Sequence, residues 1–261
     1  MKKTSMLLIF LFTFARIYSQ NENEGAILLT KGIKTIDHAV KHWNKSEMDE
    51  AKAILAKAVD AAPKDYRSLY WYAYADYQLA IYFLYADEST RDEDAGKRHV
   101  ENAIKSLEKA IDLNKADADC YALLGSLTGM KIQFNPISGM WLGPKSNGLF
   151  QKAVSANDKN PRVFYLMGIG TMNTPSMFGG GTDKAIGQFE KALSLFEKEN
   201  MDSSADPLLP RWGRDGCYSF LGNAYEKINE TERARICYQK ALELNPNSSR
   251  AKTELAKLKF K

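Results

Sequence analysis

Near the C-terminal end of the chain, apolar and small residues recur with the spacing of two packed helices. Leu221 and Tyr225 are four positions apart, so they share one face of a helix. Gly222 has no side chain, which allows a second helix to approach that face closely. Further along, Tyr238 lies between two alanines that share its face, and Pro246 ends the second helix. The pattern predicts a helix hairpin that ends at this proline.

The same sequence of small, large and small side chains occurs five times along the chain. The five copies are Ala51, Leu55 and Ala58; Ala103, Leu107 and Ala110; Ser146, Phe150 and Ala153; Ala185, Phe189 and Ala192; and Ala234, Tyr238 and Ala241. In the first helices of the first two copies, Ala39 and Ala73 stand where glycine occurs later. We therefore predict an all-α fold of about five helix pairs, with a first helix over 24–43 and a C-terminal capping helix over 248–260.

The C-terminal hairpin resembles a tetratricopeptide repeat. The motif runs Tyr218-x2-Leu221-Gly222-x2-Tyr225, then Ala234-x3-Tyr238-x2-Ala241, and ends at Asn245-Pro246. Weaker copies extend the resemblance over most of the chain. It implies a right-handed α-solenoid of antiparallel helix pairs whose concave face binds peptides or protein partners.

The copies are farther apart than the roughly 34 residues of a standard repeat of this family. The first three extra segments lie between a first helix and its own second helix, whereas the fourth, 200–216, lies between two hairpins. Successive inner turns of a solenoid share one rim. We therefore expect the first three segments to cluster on that rim and the fourth to lie on the opposite one.

The N-terminus has the composition of a secretory signal. Lys2 and Lys3 precede an apolar run from Met6 to Phe14, which is too short to span a bilayer, and Ser19 offers a small-residue cleavage site. We divide the chain into a signal peptide at 1–19 and a solenoid domain at 20–261, and we expect a periplasmic or secreted protein.

Net charge and cysteine content narrow the function further. The formal net charge is +4, and three of those charges belong to Lys2, Lys3 and Arg16, so the mature chain lacks the basic patch of a nucleic-acid-binding protein.

The three cysteines are Cys120, Cys217 and Cys237. The last two belong to one hairpin, so either a disulfide between them or three small buried thiols is possible.

The sequence contains little that points to catalysis. His38 and His42 are four apart on a helix, but the glutamate of the zinc-protease motif is missing between them. His99 lies in a charged stretch with no obvious partner. We therefore predict no catalytic residues, no metal site and no cofactor, and we expect the protein not to be an enzyme.

Tyrosines crowd the first helix of the second pair. Because Leu69 and Ala73 occupy the packing positions, the other side of that helix should line the inner groove. Tyrosine suits binding, since it offers a large apolar face and a hydroxyl group. The same register gives these predicted groove residues: Arg67, Tyr70, Tyr74, Tyr77, Arg162, Tyr165, Ile169, Asn223 and Lys227.

Two of the extra segments carry more large apolar residues than solvent-facing loops need. They contribute Phe134, Trp141, Met177 and Phe178 as predicted rim residues. The leading hypothesis is a non-enzymatic module that binds an unidentified protein or peptide. The alternative is a receptor for a small or lipid-like apolar ligand, held in a tyrosine-lined pocket that the rim segments close.

Overall fold

All regular secondary structure in the described part of the chain is helical. A computed structural model describes residues 2–85, 88–201 and 206–258, with side chains from position 22 onward in those ranges except residue 200. The α-helices are α1 (Lys2–His42), α2 (Lys45–Ala61), α3 (Tyr66–Tyr85), α4 (Glu93–Leu113), α5 (Ala118–Met130), α6 (Gly139–Ala156), α7 (Pro161–Asn173), α8 (Thr182–Met201), α9 (Arg214–Lys227), α10 (Thr231–Leu244) and α11 (Ser249–Lys257). Short 3-10 helices cover Lys131–Phe134, Pro136–Ser138 and Ser176–Phe178.

Consecutive helices pack as five hairpins, and each hairpin stacks on the next. The pairs are α1 with α2, α3 with α4, α5 with α6, α7 with α8, and α9 with α10, and α11 caps the last pair. The predicted all-α solenoid of five helix pairs and a capping helix is therefore confirmed. Ala251 on α11 and Leu258, the residue that directly follows this helix, are buried, so the capping helix packs on the last pair.

Polar side chains fix where several helices begin. Asn44, Asp92, Asp117 and Ser248 each accept a hydrogen bond from a backbone N–H in the first turn of the helix that follows. Such caps satisfy N–H groups that lack a partner within the helix. These helices therefore begin at positions that the local sequence specifies.

Glycine sets the distance between helices within a hairpin. A Cβ atom added at Gly222 would lie 2.5 Å from Cε1 of Tyr238, and one added at Gly168 would lie 2.5 Å from Cε1 of Phe189. Both aromatic rings are buried. The ring on each second helix therefore fills the space that the missing side chain leaves on the first.

The first hairpin departs from the predicted register. A Cβ atom added at Gly32 would lie 2.5 Å from Cδ2 of Leu55, so Gly32 occupies the close-approach position that we assigned to Ala39. Ala39 is buried two turns further along the helix. The prediction was wrong because Leu55 of α2 packs against Gly32, seven positions before Ala39, and both small residues lie on the buried face of α1.

The side chains of α1 are described from position 22 onward, so the export signal at 1–19 stays a prediction. Gly25 packs closely against the second helix, because a Cβ atom added there would lie 2.7 Å from Cβ of Ala62. Among the described helices, none combines the length and apolar character needed to cross a membrane.

The fourth extra segment connects α8 to α9, between hairpins, as predicted. Its described residues, 206–213, form neither helix nor strand. They reach α3 in the second hairpin, where the indole N–H of Trp71 donates a hydrogen bond to the backbone oxygen of Leu208. This connection therefore crosses the concave face.

Candidate functional site

The predicted groove tyrosines line the concave face, but they are buried. On α3, Leu69 and Ala73 pack in the core, and Tyr70, Tyr74 and Tyr77 are 3%, 2% and 5% exposed. Tyr165 on α7 is 7% exposed. The sequence therefore identified a cluster that comes together in space, whereas the cluster does not form the open groove that we expected.

Trp212 covers these tyrosines. Its ring stacks on that of Tyr74 with centroids 4.7 Å apart, and it meets the ring of Tyr165 edge-on at 6.3 Å. Its indole N–H donates a hydrogen bond to the hydroxyl oxygen of Tyr70 at 3.0 Å. The indole thus makes one stacking, one edge and one polar contact, which together fix its orientation.

The rest of residues 206–213, the covering segment, is held by the start of α3. Trp71 donates its indole N–H to the Leu208 carbonyl at 2.8 Å. Arg67 forms an ion pair with Asp206 at 3.1 Å. The space left between the segment and α3 is about 10 Å³, whereas small-molecule pockets span roughly 300–1,000 Å³. The tyrosine cluster is filled by protein, and it offers no support for the predicted ligand pocket.

Burial also fixes the protonation state of the cluster. It raises the pKa of Tyr70, Tyr74 and Tyr165 well above the ordinary value, and neighbouring carboxylates and hydroxyls add to the effect. All three phenols are therefore neutral at physiological pH. Tyr70 consequently acts as a neutral hydrogen-bond acceptor for Trp212.

Arg162, predicted to be a groove cation, is instead a buried structural residue. Its Nε donates to Oδ1 of Asp119 at 2.6 Å, and its two terminal nitrogens donate to Glu199 at 3.0 and 2.7 Å. Burial alone would lower the pKa of Arg162, but the two carboxylates outweigh it and raise that pKa. The guanidinium joins α5, α7 and α8 and is not presented to a ligand.

Arg67 likewise has its partners within the chain. It contacts Asp65 at 2.9 Å besides Asp206 of the covering segment. Hydrogen bonding to Asp65 is the main cause that raises its pKa. The prediction that Arg67 and Arg162 are groove cations was therefore wrong. Their acidic partners could not be recognised from the sequence, because they are distant along the chain or belong to a turn.

The remaining predicted groove residues lie toward the last turns of α7 and α9. Ile169 is half-buried. Asn223 is half-buried, and its side-chain oxygen accepts a hydrogen bond from the Tyr238 hydroxyl at 2.7 Å. Lys227 is exposed. The covering segment therefore divides the predicted groove into a filled part near the helix starts and a more open part near the helix ends.

The apolar residues of the third and fourth inner turns have the opposite environment. Trp141, Met177 and Phe178 are 57%, 83% and 73% exposed, and the neighbouring Ile137 and Met140 are 71% and 81% exposed. We call these five residues the rim surface. Phe134 is half-buried against the core. The side chain that packs on the tyrosines is Trp212 of the covering segment, whereas these five residues are exposed to solvent.

A buried carboxylate in the N-terminal hairpins, that of Asp76, was not predicted from the sequence. Asp76 is inaccessible to solvent and accepts hydrogen bonds at 2.6 Å from Lys52 and, through Nδ1, from His99. His99 thus has a partner that its own charged stretch did not reveal. In the part of the chain that the structure describes, no three His, Cys, Asp or Glu side chains are grouped so that they could hold a metal.

All three cysteines are buried free thiols. Burial raises the pKa of Cys120 and Cys217 well above the ordinary value, and that of Cys237 to about 11. Thiols with such pKa values are poor nucleophiles at neutral pH. Of the two possibilities that the sequence left open, the structure shows the small buried side chains.

Comparison with known proteins agrees with the fold. The family model described as tetratricopeptide repeat matches residues 217–248. None of the curated proteins matches the chain.

Solved structures resemble the whole domain. The thermophilic tetratricopeptide protein TTC0263 from Thermus thermophilus is 16% identical, with a TM-score of 0.65 over 91% of this chain and 100% of that one. The HusA haemophore from Porphyromonas gingivalis is 23% identical, with a TM-score of 0.61 over 77% of this chain and 93% of that one. Identities this low show the fold alone. The chain therefore contains one matching tetratricopeptide repeat, at 217–248, and shares the all-α solenoid fold of these structures.

Proposed function

We propose that this protein is a non-catalytic module that binds a protein partner through the rim surface. The observation that carries the proposal is the exposure, between 57% and 83%, of five large apolar side chains on two neighbouring inner turns. Grouped exposed apolar residues on a folded domain mark an interaction site. The tetratricopeptide fold supports the same class of function, because its helical repeats present extended surfaces to other proteins.

The charges around the rim surface suggest the character of the partner. The sequence has no acidic residue between Asp119 and Asp158, a stretch that contains Lys131 and Lys145. The fourth inner turn has Asp183 and Lys184 at its end. We therefore expect an apolar partner surface bordered by acidic residues, since complementary charges at the edge of an interface guide association.

We further propose that the protein acts after export, in the periplasm or outside the cell. The charged start and the apolar run of residues 1–19 support this. We expect that removal of residues 1–19 leaves the solenoid at 20–261 intact. Intact-mass measurement of the protein purified from its own source tests this, with a mature chain that begins at Gln20 as the expected result.

Site-specific photo-crosslinking tests the binding surface. The photoreactive residue p-benzoylphenylalanine replaces Trp141 in one variant and Phe178 in a second. A third variant carries it at Ile236, which is 51% exposed on α10 and serves as a matched exposed apolar position. In the native host we expect one protein adduct shared by the first two variants and absent from the third. Equal adducts at all three positions, or none at the rim positions, would contradict the proposal.

The protein purified from its own source also serves to test the alternative function, a receptor for a small ligand. HusA is named a haemophore, but at 23% identity its likeness to this chain concerns the fold. In this chain the tyrosine cluster is covered by Trp212. Native mass spectrometry of the purified protein distinguishes the two functions, because a small ligand adds less than about 1 kDa and a protein partner adds several kDa or more.

A further inference from the structure

The covering segment contacts the concave face as a bound peptide would. It forms no helix or strand in residues 206–213. Its contacts with α3 include one ion pair, one hydrogen bond to a backbone carbonyl and the packing of one half-buried indole. Peptide-recognition sites combine the same contacts, since main-chain bonds give affinity and a side-chain pocket gives specificity.

The residues that hold the segment are far from it in sequence. Tyr70 and Trp212 are 142 positions apart, and Trp71 and Leu208 are 137 apart. The segment therefore joins the fourth and fifth hairpins to the second hairpin across the concave face. It occupies the position where the solenoid would otherwise present its aromatic residues to a partner.

The slot that holds Trp212 has defined chemical requirements. Tyr74 provides a face for stacking, Tyr165 provides an edge contact, and the neutral Tyr70 hydroxyl accepts one hydrogen bond. A flat ring with an N–H donor meets all three. Arg67, on the outer side, adds a requirement for a carboxylate six positions earlier, which Asp206 meets in this chain.

We infer that the concave face is a second binding site, specific for a peptide that carries a tryptophan and an acidic residue six positions before it, and that residues 206–213 occupy this site in cis. A partner segment of that chemistry binds in the same slot when the covering segment is displaced. This site is separate from the rim surface, and the two proposals can fail independently.

Competition from the covering segment determines the expected affinities. A segment tethered by a short linker has an effective concentration of about 1 mM. A free peptide with a dissociation constant of about 0.1 mM is then weakened about tenfold in the wild type. Removal of the Trp212 side chain relieves the competition, because that residue supplies most contacts to the slot.

The test uses a synthetic peptide with the sequence of residues 206–213, blocked at both ends, in which the tryptophan carries a fluorine atom. Its binding to full-length mature wild type, Trp212→Ala and Trp212→Phe is followed by 19F NMR, and circular dichroism verifies the fold of each variant. We expect binding to Trp212→Ala that is at least about tenfold tighter than to the wild type, with Trp212→Phe intermediate. Ile236→Ala, at an exposed apolar position on α10 outside both proposed sites, is the matched control and should behave as the wild type.

Specificity is tested with a peptide that has alanine in place of tryptophan and with the double variant Tyr74→Ala, Trp212→Ala. Both changes should abolish the tighter binding. The inference is overturned if the peptide binds neither folded Trp212 variant, or if the alanine peptide binds as well as the tryptophan peptide. If Trp212→Ala forms dimers in which the covering segment of each chain lies on the other chain, and the peptide does not bind, the inference is also overturned.

Discussion

The concave face and the rim surface contain similar residues in opposite environments. Each includes a tryptophan from a segment inserted into the repeats, yet Trp212 is packed on tyrosines whereas Trp141 is 57% exposed. The difference follows from where each insertion lies. The connection between hairpins four and five reaches the concave face, while the insertions within hairpins end at the tips of their own turns.

This contrast shows that an aromatic cluster in a solenoid can be a self-contained packing site. The tyrosines of α3 suggested a binding groove, but in this conformation they serve the chain's own connection. The exposed residues of the rim have no such partner within the described chain. The following predictions test whether the concave face is structural and the rim surface is not.

The largest effect is expected at the buried arginine of the concave face. Arg162→Ala leaves the carboxylates of Asp119 and Glu199 without their common partner. Removal of one member of a buried ion pair costs about 3–5 kcal/mol. Urea denaturation measures the loss. Arg67→Ala is the control, and it should cost less than about 1 kcal/mol because its ion pairs are partly exposed. Equal losses would mean that Arg162 is not buried as described.

The helix contact behind the concave face should respond next. Gly222→Leu places a side chain where Tyr238 lies, since even a Cβ atom would be 2.5 Å from that ring. Overpacking of this kind costs about 1–3 kcal/mol. Gly187→Ala is the control, because a Cβ atom there meets nothing within 4 Å, and it should stabilise the helix by about 0.5–1 kcal/mol. A wild-type melting curve for Gly222→Leu would rule out the close contact.

A smaller, pH-dependent effect is expected at Asp37 on α1. Burial raises the pKa of Asp37 to about 6, against an opposing effect of Lys41. The folded protein therefore holds a proton that the unfolded chain releases near pH 4, so stability falls as the pH rises from about 4 to about 6. Asp37→Asn should remove this fall and stabilise the protein at pH 7 by on the order of 1–2 kcal/mol. If the stability of Asp37→Asn changes with pH in the same way as that of the wild type, the raised pKa assigned to Asp37 is wrong.

The rim surface should contribute least to stability. Trp141→Ser and Phe178→Ser change side chains that already face solvent, so the free energy of unfolding should move by no more than about 0.5 kcal/mol. The same substitutions should abolish partner capture by a purified tagged protein in the native host extract. Destabilisation by several kcal/mol would show instead that the rim residues belong to the core.

The repeat pattern was sufficient to predict the helical architecture. Alanine, glycine and a large side chain at fixed spacing determine how two neighbouring helices pack, and that information is local. The first hairpin was assigned wrongly at Ala39 because the long α1 helix permits more than one register, and only the contact with Leu55 identifies Gly32.

The site was predicted less well because its decisive contacts are long-range. The sequence selected Tyr70 and Tyr74, but their partner Trp212 lies in a segment without periodicity, more than a hundred positions away. Likewise, the partners of Arg162 on α5 and α8 are 43 and 37 positions distant. The combination of two prolines with Trp212 in an inserted segment was the one available signal of a structured connection.

The most direct test compares the solvent exposure of the tryptophans. The chain has four tryptophans, so labelling with 5-fluorotryptophan gives four 19F resonances, which single Trp→Phe variants assign. The shift of each resonance between H2O and D2O reports its contact with solvent. We predict a large shift for Trp141, almost none for Trp71, and for Trp212 a shift well below that of Trp141. A Trp212 resonance as sensitive to solvent as that of Trp141 would contradict the claim that the chain covers its own concave face.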